Sequence, residues 1–281
     1  MSRYEDEKFK HPRLKVKFNA IPKTKLKEFQ QLFNGYKNGL VCGDPGKFVM
    51  TPLYGSYAEK LYQLQPRSDD VWILTFPKCG TTWTCELSWL VMNNCDTEKA
   101  TLTPLVDRVV YVARNPKDVI VSYYHHNKLF TFHDYKGDLE EFAQYLMDDE
   151  TVYSPFFPHL LDAWSKRNHP NLHFMFFEDM KKDLRGEIVK VAAFLNQSPT
   201  DEQLDKITEH LRFDNFEKNE SVNNVTGKEL MNSEGKFIRK GKTGDWKNHF
   251  SPELNNRIDE WIEKNLAGTD LKFVTELEHQ D

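Results

Sequence analysis

Cysteine is scarce: the 281 residues hold four, at positions 42, 79, 85 and 95. None forms a C-x-x-C pair, and four are too few to staple a chain this long. A disulfide framework is excluded, and free thiols in a cytoplasmic protein are expected. An excess of positive charge is also missing. Lys and Arg number 38 against 43 Asp and Glu, a net charge of -5. No broad basic field exists to grip a nucleic-acid backbone, which sets that partner class aside. Long apolar runs are lacking too. The best, Val71–Phe76, has the size of a strand and falls far short of a membrane span. The opening MSRYEDEKFKHPRLKVKFNA mixes both signs and has no apolar stretch, so no secretory signal is expected. Neither repeat, low-complexity tract nor linker breaks the chain. The organisation expected is a polar leader over residues 1–21 and one domain over 22–281.

What is present supports a packed core. Hydrophobic residues make up 39%, with 20 Phe, 11 Tyr and 6 Trp, whereas disordered chains are poor in aromatics. Val71–Phe76 reads as a strand buried on both faces. Pro77–Thr82 is a turn, and Trp83–Asn94 a helix with Trp83, Leu87, Leu90 and Val91 on one face. The unit repeats in kind. Val109–Ala113 is a strand, Asn115 an N-cap, Pro116 the first helical residue, and Val119–Phe130 a helix. Leu172–Phe177 is a third strand. Helices are expected near Tyr57–Leu64, over 187–196, over 201–212 behind a Thr200/Gln203 capping box, and from Ser251 to Gly268. Strands alternating with helices predict an α/β fold, a single domain with a central, mostly parallel sheet flanked by helices.

The segment Thr75-Phe-Pro-Lys-Cys-Gly-Thr-Thr-Trp83 carries the clearest chemistry. A helix N-terminus offers N–H groups without helical partners and a partial positive charge. Gly80 lets the backbone approach an anion, Lys78 adds a full charge, and Thr81 and Thr82 add hydroxyl donors. Together they form a P-loop-like phosphate-binding loop. An ordinary capped helix with a chance lysine is the plainer alternative. The loop is not a Walker A sequence, which places its lysine after the second glycine, so a magnesium-dependent ATPase is disfavoured.

Four ordered segments resemble the cytosolic sulfotransferase family. They are PKCGTTW after a strand, Arg114-Asn-Pro-Lys-Asp-Val-Ile-Val-Ser-Tyr-Tyr124, Phe177-Glu-Asp-Met-Lys181, and Arg239-Lys-Gly-Lys-Thr-Gly-Asp-Trp246. The resemblance runs from about Tyr57 to Phe273. It implies a sulfuryl donor, 3′-phosphoadenosine 5′-phosphosulfate (PAPS), no metal, and a small phenol, alcohol, steroid-like or amine acceptor. By resemblance Lys78, Cys79, Gly80, Thr81 and Thr82 hold the 5′-phosphosulfate, and Lys78 is also catalytic. Arg114 and Ser122 bind the 3′-phosphate, and Arg239, Lys240 and Gly241 close over it. Trp83, Phe177 and Phe213 form the adenine pocket. No membrane or nucleic-acid partner is implied.

The sequence departs from the family in three places. Family members carry a longer segment between the PKxGTTW helix and the RNPKDV strand, with a Lys-Thr-His-Leu-Pro strand whose His is the general base. Here the interval Asn93–Arg108 reads NNCDTEKATLTPLVDR and contains no His. A strand and part of the acceptor pocket are expected to be absent with it. His125 and His126 fall where the family's own His has no base role, and His133 lies on the following loop, so no replacement base is expected. A non-catalytic nucleotide-binding or defective splice form is the alternative reading. Second, Phe177 stands where Tyr is usual, and Leu211-Arg212 replaces a small polar pair. Third, Lys247, Ser251-Pro252 and Asn256 depart from the family's dimer motif, which favours a monomer over a homodimer. Cys79 stands where Ser is usual. It reads as a small filler, with a lowered thiol pKa and oxidative control of the loop as the second reading.

Overall fold

The computed structural model describes residues 12–67, 70–93, 108–219, 230–232, 237–275 and 277. Lys17–Ala20 (β1), Val41–Asp44 (β2) and Val49–Met50 (β3) form a small antiparallel sheet in that order. β1 lies inside the polar leader. Backbone pairing with β2 makes it a strand, since its side chains are largely exposed and give no apolar signal. Lys23–Leu32 (α1) connects β1 to β2, and Pro52–Tyr62 (α2) follows β3. The α2 helix starts earlier than its apolar spacing suggests. Thr51 caps it, accepting from the Tyr54 N–H at 3.3 Å, with Pro52 in the first position.

The main sheet is parallel. Val71–Thr75 (β4), Arg108–Ala113 (β5) and Leu172–Phe176 (β6) pair in the order β4-β5-β6. Thr81–Met92 (α3) follows β4 in the chain. Pro116–Leu129 (α4), Leu139–Met147 (α5) and Phe156–Ser165 (α6) separate β5 from β6. Phe177–Lys182 (α7), Leu184–Phe194 (α8), Asp201–Leu211 (α9) and Phe213–Phe216 (α10) come next. A 3-10 turn at Asp245–Asn248 then leads to Pro252–Leu266 (α11). Asn115 caps α4 by accepting from Lys117 N–H at 2.9 Å, and Thr200 and Gln203 form a reciprocal capping box on α9.

Central β5 explains the layers, because its side chains alternate between faces. Val110 and Val112 pack with Leu87, Val191 and Ile207 from α3, α8 and α9. Tyr111 and Ala113 pack with Ile120, Phe142 and Phe156 from α4, α5 and α6. Each such side chain contributes about 1.5–3 kcal/mol when fully buried, so the layers rather than helix propensity hold the sheet.

β4 differs from its sequence expectation. Trp72 and Leu74 are 39% and 43% exposed, so the strand is not buried on both faces. It pairs with β5 on one side, and among the described residues no strand pairs on the other. The interior of the shortened interval, residues 94–107, lies outside the described residues. Asn93 closes α3 and Arg108 opens β5. The register sets Thr75 beside Val112 and Ala113 beside Phe176, so the three strands end together. Open α/β sheets bind ligands at this carboxyl edge.

Candidate active site

After Thr75 the chain turns sharply into α3. Gly80 has φ +113°, and a Cβ there would stand 3.1 Å from Phe177 Cδ2. Glycine meets both demands at once. Lys78 also has a left-handed backbone, φ +71°, which costs about 1–3 kcal/mol for a residue with a side chain. Thr81 Oγ1 is hydrogen-bonded to Thr75 Oγ1, which ties the turn to its own strand. The result aims the first N–H groups of α3, with Thr82 beside them, at one side of a cavity of about 880 Å³.

Lys78 is half-buried, with its ammonium 4.3 Å from the centroid of the Phe237 ring. Burial, and then Arg114 and Arg239, push its pKa down from 10.5 to about 8. An incoming anion would reverse this, because an opposite charge favours the protonated amine.

Arg114 leaves β5 directly beside this turn. It donates to Lys78 O at 3.0 Å and to Lys242 O at 3.2 Å, and its guanidinium stacks 4.3 Å from the Phe177 ring centroid. Its Nε is buried without a partner. A buried guanidinium N–H left open beside a cationic cavity fits an anionic ligand. Ser122, from the second turn of α4, lines the same cavity.

The segment over this end is fastened by two carboxylates. Asp245 accepts from Arg239 at 2.7 Å and Lys240 at 2.9 Å. Burial alone would raise its pKa, but these charged donors win and hold it well below the carboxylate range. Asp118 accepts from Gly244 N–H at 2.8 Å, which anchors the 3-10 turn to the first turn of α4. Gly241 has φ +56°, and a Cβ there would fall 2.0 Å from Phe213 Cε2. Backbone and ring thus pack face to face. Trp83 completes the aromatic wall, donating to Leu211 O at 2.9 Å and meeting Phe177 edge-on at 5.6 Å.

Other parts of the cavity wall are apolar. Phe48 and Met50, Tyr54 from α2, Tyr153, Pro155 and Pro158 line it. His125, His126 and His159 also reach the wall.

Lys78, Gly80, Thr81, Thr82, Trp83, Arg114, Ser122, Phe177, Phe213, Arg239, Lys240 and Gly241 therefore share one cavity. Cys79 does not. Its side chain is 1% exposed in the core, where burial pushes its thiol up to about 12. That corrects the lowered pKa and oxidative control read from its neighbours and leaves the filler role. Sequence reasoning missed Phe237 under Lys78, Lys242, and the apolar wall. It quoted Asp118 and Asp245 inside motifs without giving them roles. Their signal was a carboxylate set among Arg and Lys.

The sulfotransferase domain model matches residues 68–109 and 107–270. The chain belongs to the sulfotransferase family. The two matched stretches meet where the shortened interval joins β5. Sulfotransferase 1E1 of Bos taurus is 32% identical over 283 residues, 83% of this chain and 96% of that enzyme. The aligned span exceeds the part of this chain it takes up, so the relative carries internal residues with no counterpart here. The amine sulfotransferase of Oryctolagus cuniculus is 30% identical, covering 78% of this chain and 88% of its own. A crystal structure of retinol dehydratase in complex with androsterone and inactive cofactor PAP shares the fold. Its TM-score is 0.85 at 24% identity, covering 93% of this chain and 99% of that one.

Proposed function

We propose that this sulfotransferase moves a sulfuryl group from PAPS to a hydroxyl or amine of a small, largely apolar acceptor. The observation that carries the reading is one cavity with two unlike parts to its wall. Half-buried Lys78 and Arg114 with its partnerless Nε make one part of the wall cationic, while Phe48, Met50 and Tyr54 make another part apolar. The cationic set fits a donor with two anionic groups: Lys78 and the α3 N-terminus for one, Arg114, Ser122, Arg239 and Lys240 for the other. Trp83, Phe177 and Phe213 would flank its adenine. The donor supplies an activated sulfuryl group. Lys78 would stabilise the charge that develops on the leaving phosphate, an interaction worth about 10²–10³ in rate where one preorganised donor is removed. The apolar end would orient the acceptor and exclude water. Structures similar in fold hold PAP with androsterone or with retinol, which supports both halves of the reading.

Calorimetry with 3′,5′-adenosine bisphosphate (PAP), without magnesium and with ATP as control, tests the donor half. Turnover of PAPS with androsterone, retinol and an aliphatic amine tests the acceptor half. Selective PAP binding with turnover is expected. PAP binding without turnover would favour a nucleotide-binding protein, and folded protein that binds no PAP would overturn the reading.

A further inference from the structure

The family's base belongs to a segment with no counterpart here, so the acceptor proton needs another destination. Three histidines reach the cavity wall. His125 belongs to the phosphate end, where burial and then Arg239, His249, Asp245 and Lys240 act on it. His159 is held by Tyr111, Oη to Nδ1 2.8 Å, and the charge acting on it is Asp162. His126 is the one on which Lys78 acts. The two share Phe237, whose ring lies 4.3 Å from the Lys78 ammonium and 6.4 Å from the His126 ring.

The ring of His126 is packed from behind by other rings. Its Nδ1 is buried and makes no hydrogen bond, so Nε2 is the nitrogen left for the cavity. His133 lies 5.4 Å away with its ring tilted by 59°, only 2% exposed, with its own Nε2 buried and without a partner. Its other nitrogen, Nδ1, lies 2.7 Å from Tyr36 Oη. Phe130 closes the side at 4.5 Å.

We infer that His126 is the general base that takes the acceptor's proton. The inference rests on the sulfuryl-transfer reading above. The acceptor O–H bond breaks and its proton passes to Nε2. The oxygen's electron pair forms the new bond to sulfur. The old sulfur–oxygen bond breaks toward the phosphate, which keeps that pair beside Lys78. Burial, then Lys78 and His133, hold the ring pKa down at about 2, so the imidazole is neutral at pH 7 and offers the Nε2 lone pair in its Nδ1–H tautomer. An anion that offsets Lys78 removes part of this depression, so basicity rises when the donor site fills.

His126→Gln and His126→Ala should keep PAP affinity in calorimetry and lower turnover of androsterone by about 10²–10⁴-fold. A second readout needs no turnover. Wild-type protein with PAP bound is treated with diethyl pyrocarbonate, and modified peptides are read by mass spectrometry. His126 and exposed His169 should both react, and androsterone should protect His126 alone. Near-wild-type turnover by a His126 variant overturns the assignment, as does an unreactive His126 beside a reactive His169. Where the variants do not fold, or the wild type turns over neither androsterone nor retinol, the footprint decides alone. Wild-type protein without PAP affinity sinks the donor reading itself. Retained affinity with an unaffected His126→Gln sinks only the base.

Discussion

At the phosphate end of the cavity, groups are fixed by directional bonds. Arg114 joins two loops through Lys78 O and Lys242 O, and Asp118 and Asp245 fasten the cover. At the acceptor end the walls are rings and aliphatic chains from β3, α2 and the turns near Tyr153. They sit next to a strand whose Trp72 and Leu74 remain largely uncovered. Holding an anion takes a few donors at fixed angles, which short runs of chain supply. Holding an apolar acceptor takes surface pooled from distant segments. On the proposed reading, loss of chain between α3 and β5 would spare the first task and fall on the second.

Lys78→Ala separates the two ends most sharply. Turnover should fall about 10²–10³-fold or more in single-turnover measurements, with the apolar end unchanged. Equal activity would remove Lys78 from the chemistry. Gly241→Ala attacks the donor site by shape. Its Cβ would collide with Phe213, and overpacking of about 1–3 kcal/mol should weaken PAP binding roughly 5- to 150-fold in calorimetry. Unchanged affinity would show that Phe213 swings away.

The pH response follows from Lys78. Its pKa in the folded protein is lowered, so above about 8 the empty site holds a neutral amine, and an anion must bring a proton with it. PAP affinity should fall by up to about tenfold per pH unit above that point, with proton uptake visible in buffers of different ionisation heat. The same group adds stability to the empty protein as pH rises from about 8 toward 10.5, since the unfolded chain binds the extra proton there. A flat affinity profile would assign the anion to Arg114 and Arg239 alone. The smallest effect is expected at the open edge. Trp72→Lys should change folding stability by no more than about 0.5 kcal/mol in denaturant titration and leave PAP binding intact. A large loss would mean that this face is covered.

The clustering of the cationic residues was legible in sequence because the devices that cause it are local. A glycine turn, a capped helix start and an arginine at a strand end announce themselves within a few residues, and Lys78, Gly80, Arg114 and Gly241 all line the cavity. The acceptor end was not legible. Phe48 and Met50 lie in a small sheet whose strand β1 has no apolar pattern, and pairing alone defines it. β4 misled because a continuous apolar run signals two covered faces only where a layer packs on each, and Trp72 and Leu74 stay partly exposed. Cys79 misled because its neighbours predicted attraction, while burial sets its titration. His126 and His133 are close only through the turn after α4, a relation that spacing does not reveal.

The position of the shortened interval has a consequence for how such a chain arises by descent. Both sides of β5 are already taken, so a strand from the interval between α3 and β5 could join this sheet only at an outer edge. A deletion there severs neither the β4–β5 nor the β5–β6 ladder. Lys78 and Arg114 stay neighbours because their strands do. A change of chain length at the border of a parallel sheet thus spares the strand ends that carry Lys78 and Arg114.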